Sequence, residues 1–306
     1  MAHQAPTSSV DAAAANGDDK WSSQKYVQHA SFVPALGAPV LQLLDPQPHE
    51  RILDLGAGDG VLTLDLEKRA KSVVAIDASA DMVAGAQKNG CQDARVVDGH
   101  DLVDHELANG QFDAVFSNAG TVSFFLSLRP DPCRVGNESF YPFSPSLIIK
   151  SWYSLALHWM KRDPARVIQG VHKSLKSGGR FVGEMGGHMN VTEVRSGLHA
   201  ALKKRGVDPE PHDPWFFPGT ATYTRLLEGN GFRVDSIELI PRNTRLNTDI
   251  VGWIDTFGFS FLAPFEQDEK TRREVMEEVQ SNLKFSEDEG VWYIMYVRLR
   301  FKATKI

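Results

Sequence analysis

The stretch ILDLGAGDGVLT, from Ile52 to Thr63, decides the fold class. Its first residues form a continuous apolar run, which is typical of a strand that is buried on both faces of a sheet. Glycines follow at alternate positions (Gly56, Gly58 and Gly60), and helix-forming residues come after them. In open α/β sheets, ligands bind outside the carboxyl ends of the strands. The sequence therefore predicts a ligand site at the end of this strand.

Apolar strands alternate with helices on both sides of this stretch, which predicts a parallel sheet covered on both faces. Further strands are predicted at 72–77, 94–99, 112–118, 180–185, 232–240 and 291–303. Helices are predicted at 21–44, 61–70, 80–90, 164–179, 191–206, 221–232, 249–262 and 270–283. We expect an α/β, Rossmann-like, mostly parallel seven-stranded sheet with helices on both faces and an antiparallel last strand. We also expect a single domain over residues 21–306, after a disordered N-terminal tail at 1–20.

The glycine turn only partly matches the dinucleotide-binding fingerprint. Gly56 and Gly58 fit the pattern G-x-G-x-x-G, but Val61 stands where the third glycine belongs. The carboxylates of Asp54 and Asp59 would repel a pyrophosphate, whereas they suit a cationic ligand such as a sulfonium that carries an ammonium group. This pattern disfavours a nicotinamide-dependent oxidoreductase.

Residues at the ends of the next two strands complete a possible nucleoside site. Asp77 follows Gly56 by 21 positions and can accept hydrogen bonds from both hydroxyls of a ribose. Asp98 can reach an adenine amino group, and Met82 can pack on the adenine face. Singly, the glycines could form an ordinary turn, the aspartates could cap helices and Met82 could belong to the core. Their joint placement at matching strand ends favours cofactor binding.

These segments, taken in order, resemble the class I S-adenosylmethionine-dependent methyltransferases over roughly residues 50–185. The resemblance rests on ILDLGAGDGVLT, VVAIDAS, DMV, VVDGHDL and FDAVFSNA. More narrowly, ALHWM (156–160), GWIDTF (252–257) and YVRLRFKA (296–303) are similar to segments of the trans-aconitate methyltransferase group. The resemblance implies methyl transfer with S-adenosylmethionine as cofactor. It assigns Asp54, Gly56 and Gly58 to the methionine moiety, Asp77 to the ribose, Asp98 and Gly99 to the adenine, and Asn118 to the same cofactor site.

The acceptor site is predicted around the LHW motif. An ionised carboxylate needs no general base, whereas a hydroxyl or an amine does, and His158 is the nearest candidate in sequence. We expect His158 and Trp159 to form the catalytic and substrate-binding wall; the alternatives are a structural histidine and a core tryptophan. Arg242, Arg245 and His188 are weaker candidates for contacts with the acceptor.

An atypical segment interrupts the family pattern at residues 120–155. It contains seven aromatic residues, seven serines and four prolines, and its removal restores FDAVFSNA-ALHWM. We interpret it as a possible retained intron, and a true insertion that covers the substrate site is the alternative.

Composition restricts the partners. The net charge of -6 argues against nucleic acid, and no Asp/Asn-Pro-Pro-aromatic loop of nucleic-acid amine methyltransferases follows the fourth strand. No apolar run reaches membrane-spanning length, and the unpaired spacing of two cysteines predicts no metal site. The N-terminus has no secretory signal, so we expect a cytoplasmic enzyme with a small-molecule substrate, either monomeric or homodimeric. A protein that binds S-adenosylmethionine with impaired or no turnover is the alternative.

Overall fold

The computed structural model describes residues 33–118, 157 and 161–306 of the 306-residue chain. The predicted tail, the inserted segment at 120–155, His158 and Trp159 lie outside the described residues, as do the residues of the first predicted helix that precede Val33.

The sheet has the order β3-β2-β1-β4-β5-β8-β6, and a short strand, β7, pairs with β8 alone. Strands β1 to β5 are parallel to one another, and β8 is antiparallel to both β5 and β6. The predicted mostly parallel sheet with an antiparallel last strand is therefore confirmed, with β7 as an addition. The strands are β1 (Arg51–Leu55), β2 (Ser72–Asp77), β3 (Ala94–Val96), β4 (Phe112–Asn118), β5 (Leu175–Gly186), β6 (Phe232–Arg245), β7 (Glu287–Asp288) and β8 (Val291–Lys305).

Four of the helices begin at capping residues that the sequence contains. The side chains of Ser79, Asp163, Asp249 and Asp268 each accept a backbone N–H at a helix start, and α3 ends at Gly90 in the left-handed conformation. No helix in the described part of the chain is long and apolar enough to cross a membrane. The helices are α1 (Val33–Leu44), α2 (Val61–Glu67), α3 (Ala80–Asn89), α4 (Pro164–Ser174), α5 (Thr192–Lys204), α6 (Thr220–Glu228), α7 (Ile250–Phe257), α8 (Phe259–Leu262) and α9 (Glu269–Asn282).

Each face of the sheet has its own apolar core. Because successive side chains of a strand point to opposite faces, neighbouring residues of one strand enter different cores. On one face, α4 and α6 pack against β4, β5 and β8. On the other face, α1 and α2 pack against residues of β1, β2, β4 and β5 that alternate with those of the first core. The two layers of helices hold the strand ends in fixed positions.

The predicted helix at 164–179 is too long. Helix α4 ends at Ser174, and Leu175 already pairs with Phe112 of β4. The pairing shifts register before Arg180, and Gly178 has φ 74° within this irregularity. The Gly-Gly pair therefore serves a bulge in β5 and does not end a helix.

Other predicted elements also differ from expectation, since α2 ends at Glu67 and not at residue 70, and α6 ends at Glu228 and not at residue 232. Strand β3 ends at Val96 and not at Gly99, since the Asp98 side chain accepts the backbone N–H of His100 and turns the chain. The predicted helix at 249–262 is interrupted at Gly258, which separates α7 from α8.

A cap stands beyond the carboxyl end of β5. Strand β5 ends at Gly186, opposite Arg298, but β6 and β8 continue pairing from Pro241–Val297 to Arg245–Tyr293. At ~3.3 Å per residue, these five pairs extend about 17 Å past the end of β5. Helices α5, α7, α8 and α9 pack around this extension and form a third apolar core, and we call this unit the cap.

Candidate active site

The glycine loop crosses from the end of β1 to the end of β2. The backbone N–H groups of Gly56 and Ala57 both donate to the carbonyl oxygen of Ile76, at 2.8 and 3.1 Å. Gly56, Gly58 and Gly60 have φ values of 76°, 59° and 79°, so that the chain turns in the left-handed region at alternate residues. The turn fixes the loop at the carboxyl edge of the sheet.

Asp77 ties this loop to the start of α3. Its Oδ2 accepts the Gly58 N–H and its Oδ1 accepts the Ser79 N–H, both at 3.0 Å. Ser79 in turn caps α3 by accepting the N–H of Met82 at 3.1 Å. Asp77 therefore holds the glycine loop against the start of α3 at the carboxyl end of β2.

Asp54 lies buried beneath the glycine loop. Its Oδ2 accepts the Thr63 hydroxyl at 2.7 Å, and its side chain has almost no contact with solvent. Burial raises the pKa of Asp54 to about 7, the Thr63 hydrogen bond opposes this, and the neighbouring Asp77 charge adds to the rise. A cation bound beside Asp54 would favour its ionised form.

Asp98 and Gly99 follow β3, and Asp98 is held by His100, a residue that the sequence analysis missed. The backbone N–H of His100 donates to Asp98 Oδ1 at 2.8 Å, and His100 Nδ1 lies 2.9 Å from the same oxygen. Burial raises the pKa of Asp98, but these contacts with His100 outweigh it and keep the pKa below its ordinary value. The other carboxylate oxygen has Arg162 at 3.9 Å. The arrangement keeps Asp98 as an ionised acceptor.

Asn118 ends β4 under helix α1. A side chain added at Gly37 of α1 would lie 3.4 Å from Asn118 Nδ2, which places α1 directly over it. Asn118 Oδ1 is buried and has no hydrogen-bond partner among the described residues. Next to it, the Ser117 hydroxyl donates to the carbonyl oxygen of Leu55 at 2.8 Å and joins the ends of β4 and β1. A buried acceptor without a donor is costly unless a ligand supplies one.

A buried group of charges continues this edge on β5, β8 and β6. Glu184, which pairs in register with Asn118, lies among three guanidinium groups. We call Arg242, Arg298 and Arg300 the arginine cluster. Of these, only Arg242 is a predicted candidate for contact with the acceptor. The other predicted arginine, Arg245, lies outside the cluster and is exposed.

The structure thus brings the predicted cofactor residues to adjacent strand ends, in the order β3-β2-β1-β4. Met82 is buried in the first turn of α3. Of the LHW motif, Leu157 is described, and it is buried in the core beneath α4.

Comparisons with known proteins agree with this architecture. Residues 52–129 match the family described as "Methyltransferase domain". An uncharacterized methyltransferase of Schizosaccharomyces pombe is 36% identical over 298 residues, which cover 94% of this chain and 99% of that protein. A 50-residue segment is 50% identical to the 23S rRNA (uracil(1939)-C(5))-methyltransferase RlmD of Methylococcus capsulatus, and covers 16% of this chain and 11% of that protein.

A solved structure from Bacillus halodurans, described as a methyltransferase, has the same fold. Its TM-score is 0.53 at 14% identity, and the match covers 88% of this chain and 97% of that one. Identity over nearly the full length of the Schizosaccharomyces pombe methyltransferase shows the family, and S-adenosylmethionine is the cofactor. The chain therefore belongs to the class I S-adenosylmethionine-dependent methyltransferases.

Proposed function

We propose that the enzyme methylates an oxygen of a small molecule, either a carboxylate or a hydroxyl. The observation that carries this proposal is the cap on the extended strands β6 and β8. Because the cap rises past the carboxyl end of β5, it walls one side of the edge where the cofactor residues meet. A site with a wall of this kind suits a small acceptor, and the net charge of -6 disfavours a polyanionic one.

The residues at the strand ends fit S-adenosylmethionine. Two buried acceptors suit the cationic methionine end of the cofactor: Asp54, and Asn118 Oδ1, which has no hydrogen-bond partner among the described residues. Asp77, at the end of β2, is the acceptor that we assign to the ribose hydroxyls. We assign Asp98, Gly99 and Met82 to the adenine and Gly56 and Gly58 to the methionine moiety. When bound, the cofactor supplies a methyl group on an electrophilic sulfonium.

The protein's task is to hold an acceptor oxygen in line with that methyl group and to keep water away. An ionised carboxylate needs only this positioning, whereas a hydroxyl also needs a base, and we assign that role to His158. Trp159 completes the acceptor wall in this proposal. Within the family, the LHW motif and the C-terminal segments favour the trans-aconitate methyltransferase group.

Methyl transfer from labelled S-adenosylmethionine to a panel of acids and phenols, with RNA and protein acceptors beside them, tests the proposal. We expect label in at least one small acid or phenol and none in RNA or protein. Transfer to RNA or protein alone would contradict it, and binding of the cofactor without any transfer would favour the non-catalytic alternative.

Cofactor affinity is expected to depend on pH through Asp54. Its pKa of about 7 means that acidification from pH 7 to 6 lowers the ionised fraction from about one half to about one tenth. Since a cationic ligand prefers ionised Asp54, the dissociation constant should rise roughly fivefold over this interval, and binding near pH 6.5 should release protons. Calorimetry in buffers of different ionisation enthalpy measures both quantities.

The matched control is Asp54→Asn, which can still accept the Thr63 hydroxyl. This variant should bind the cofactor more weakly and lose the pH dependence in this interval. A wild-type dissociation constant that stays constant between pH 6 and 7 would exclude Asp54 as the titrating group.

A further inference from the structure

The arginine cluster surrounds a single buried carboxylate. Glu184 Oε2 lies 3.0 Å from Arg242 Nη2 and 2.8 Å from Arg300 Nη2, and Glu184 Oε1 lies 3.4 Å from Arg298 Nε. The exposed fractions of the side chains are 2% for Glu184 and Arg298, 14% for Arg300 and 17% for Arg242. These charges are therefore largely withdrawn from solvent.

Among the described residues, positive charge exceeds negative charge in this cluster. Arg298 makes further contacts, but even when it is set aside, one carboxylate faces the two guanidinium groups of Arg242 and Arg300. Glu238 lies 4.0 Å from Arg300 Nη1 and is 63% exposed, so solvent screens most of its charge.

Arg242 also has hydrogen-bonding capacity to spare. Its Nη1 lies 2.9 Å from Glu184 Oε1 without the geometry of a hydrogen bond, and it has no other hydrogen-bond partner in the described part of the chain. A buried cation that exceeds its counter-charge is costly, and a bound anion removes this cost.

The arginine cluster lies on the strands next to the predicted methyl-transfer site. Glu184 pairs with Asn118 of β4 on one side and with Arg300 of β8 on the other. Directly opposed residues of neighbouring strands point to the same face of a sheet, so all three side chains share the face that α1 covers. Two strand spacings place the backbones of Asn118 and Arg300 about 10 Å apart. A small acceptor can span this distance.

We propose that the arginine cluster binds a carboxylate of the acceptor, distinct from the oxygen that is methylated. Guanidinium groups recognise carboxylates through paired, charge-assisted hydrogen bonds. The acceptor class is then hydroxy acids, phenolic acids and dicarboxylic acids. This inference rests on the proposed function and names the recognition group of the same site.

Binding to the full chain saturated with S-adenosylhomocysteine tests the inference without requiring turnover. Calorimetry compares para-hydroxybenzoate with phenol, and glutarate with valerate, because each pair differs in one carboxylate. We expect the member with the additional carboxylate to bind at least about tenfold more tightly. Arg242→Gln should abolish this preference, whereas Arg245→Gln, an exposed arginine of the same strand, should preserve it. Glu184 keeps two arginines in Arg242→Gln, and a thermal melt checks that the variant is folded.

Equal binding within both pairs would overturn the inference, as would an Arg242→Gln variant that keeps the preference or weakens both members alike. Labelled methyl transfer by the same proteins, with S-adenosylmethionine in place of S-adenosylhomocysteine, separates this outcome from failure of the proposed function. Transfer to small acceptors without a carboxylate preference would leave the proposed function standing and exclude the arginine cluster. A carboxylate preference in binding without any methyl transfer would support the arginine cluster as the carboxylate site and contradict the proposed function.

Discussion

Asp77→Ala is expected to weaken S-adenosylmethionine binding by roughly a hundredfold or more. The carboxylate accepts the N–H groups of Gly58 and Ser79, both at 3.0 Å, and so holds the glycine loop against the start of α3. Hydrogen bonds to a charged group contribute about 1.5–3 kcal/mol each, and two of them correspond to at least two orders of magnitude in affinity. The variant also lacks the acceptor that we assign to the ribose. Calorimetric titration with the cofactor measures the loss.

Two further variants show whether the loss of affinity arises at the cofactor site or through a less stable fold. Asp77→Asn retains one acceptor oxygen and should lose about tenfold in affinity. Asp113→Ala removes an aspartate that accepts the Arg51 N–H at 2.8 Å, but at the opposite end of the parallel strands. It should lower stability and leave cofactor affinity unchanged. Equal losses in Asp77→Ala and Asp113→Ala would mean that both act only through the fold.

Gly60→Ala is expected to lower the free energy of unfolding by about 3 kcal/mol. Gly60 has φ 79°, and a Cβ at this position would lie 2.3 Å from Cys91 Sγ and 2.9 Å from Ala86 Cβ. The left-handed backbone costs a residue with a Cβ about 1 kcal/mol, and overpacking against α3 costs a further 1–3 kcal/mol. Urea denaturation measures the difference.

Gly178→Ala is the matched control for the steric part of this cost. Its φ is 74°, but nothing lies within 4 Å of the added Cβ, so only the backbone cost of about 1 kcal/mol remains. Adding Cys91→Ala to Gly60→Ala should restore part of the stability, because it removes the closest contact. Equal losses at both glycines would show that α3 moves away freely and that the loop is not tightly packed.

Much of the sheet could be predicted because strand ends coincide with changes in residue chemistry. Strands β2 and β4 have the predicted bounds, since an apolar run ends at Asp77 in one and at Asn118 in the other. The end of α4 could not be predicted, because Gly178 and Gly179 are compatible with a helix stop and with a bulge. Only the pairing of Leu175 with Phe112 decides between them.

The cofactor residues were predictable because each follows a strand, and parallel strands bring their carboxyl ends together. The pairing of His100 with Asp98 could have been suspected from the motif DGHD. An aspartate side chain in a turn often accepts the backbone N–H of the residue two positions later, as Asp98 does from His100. The arginine cluster had no such local signal. Glu184 and Arg298 are separated by 114 positions, and only the antiparallel register of β5 and β8 brings them together.

Calorimetric titration of the full chain with S-adenosylmethionine at neutral pH tests the central claim most directly. The account predicts binding in the micromolar range with release of protons, since Asp54 ionises when the cationic ligand binds. The absence of binding, both in the full chain and in a variant that lacks residues 120–155, would contradict the assignment of this strand edge as the cofactor site.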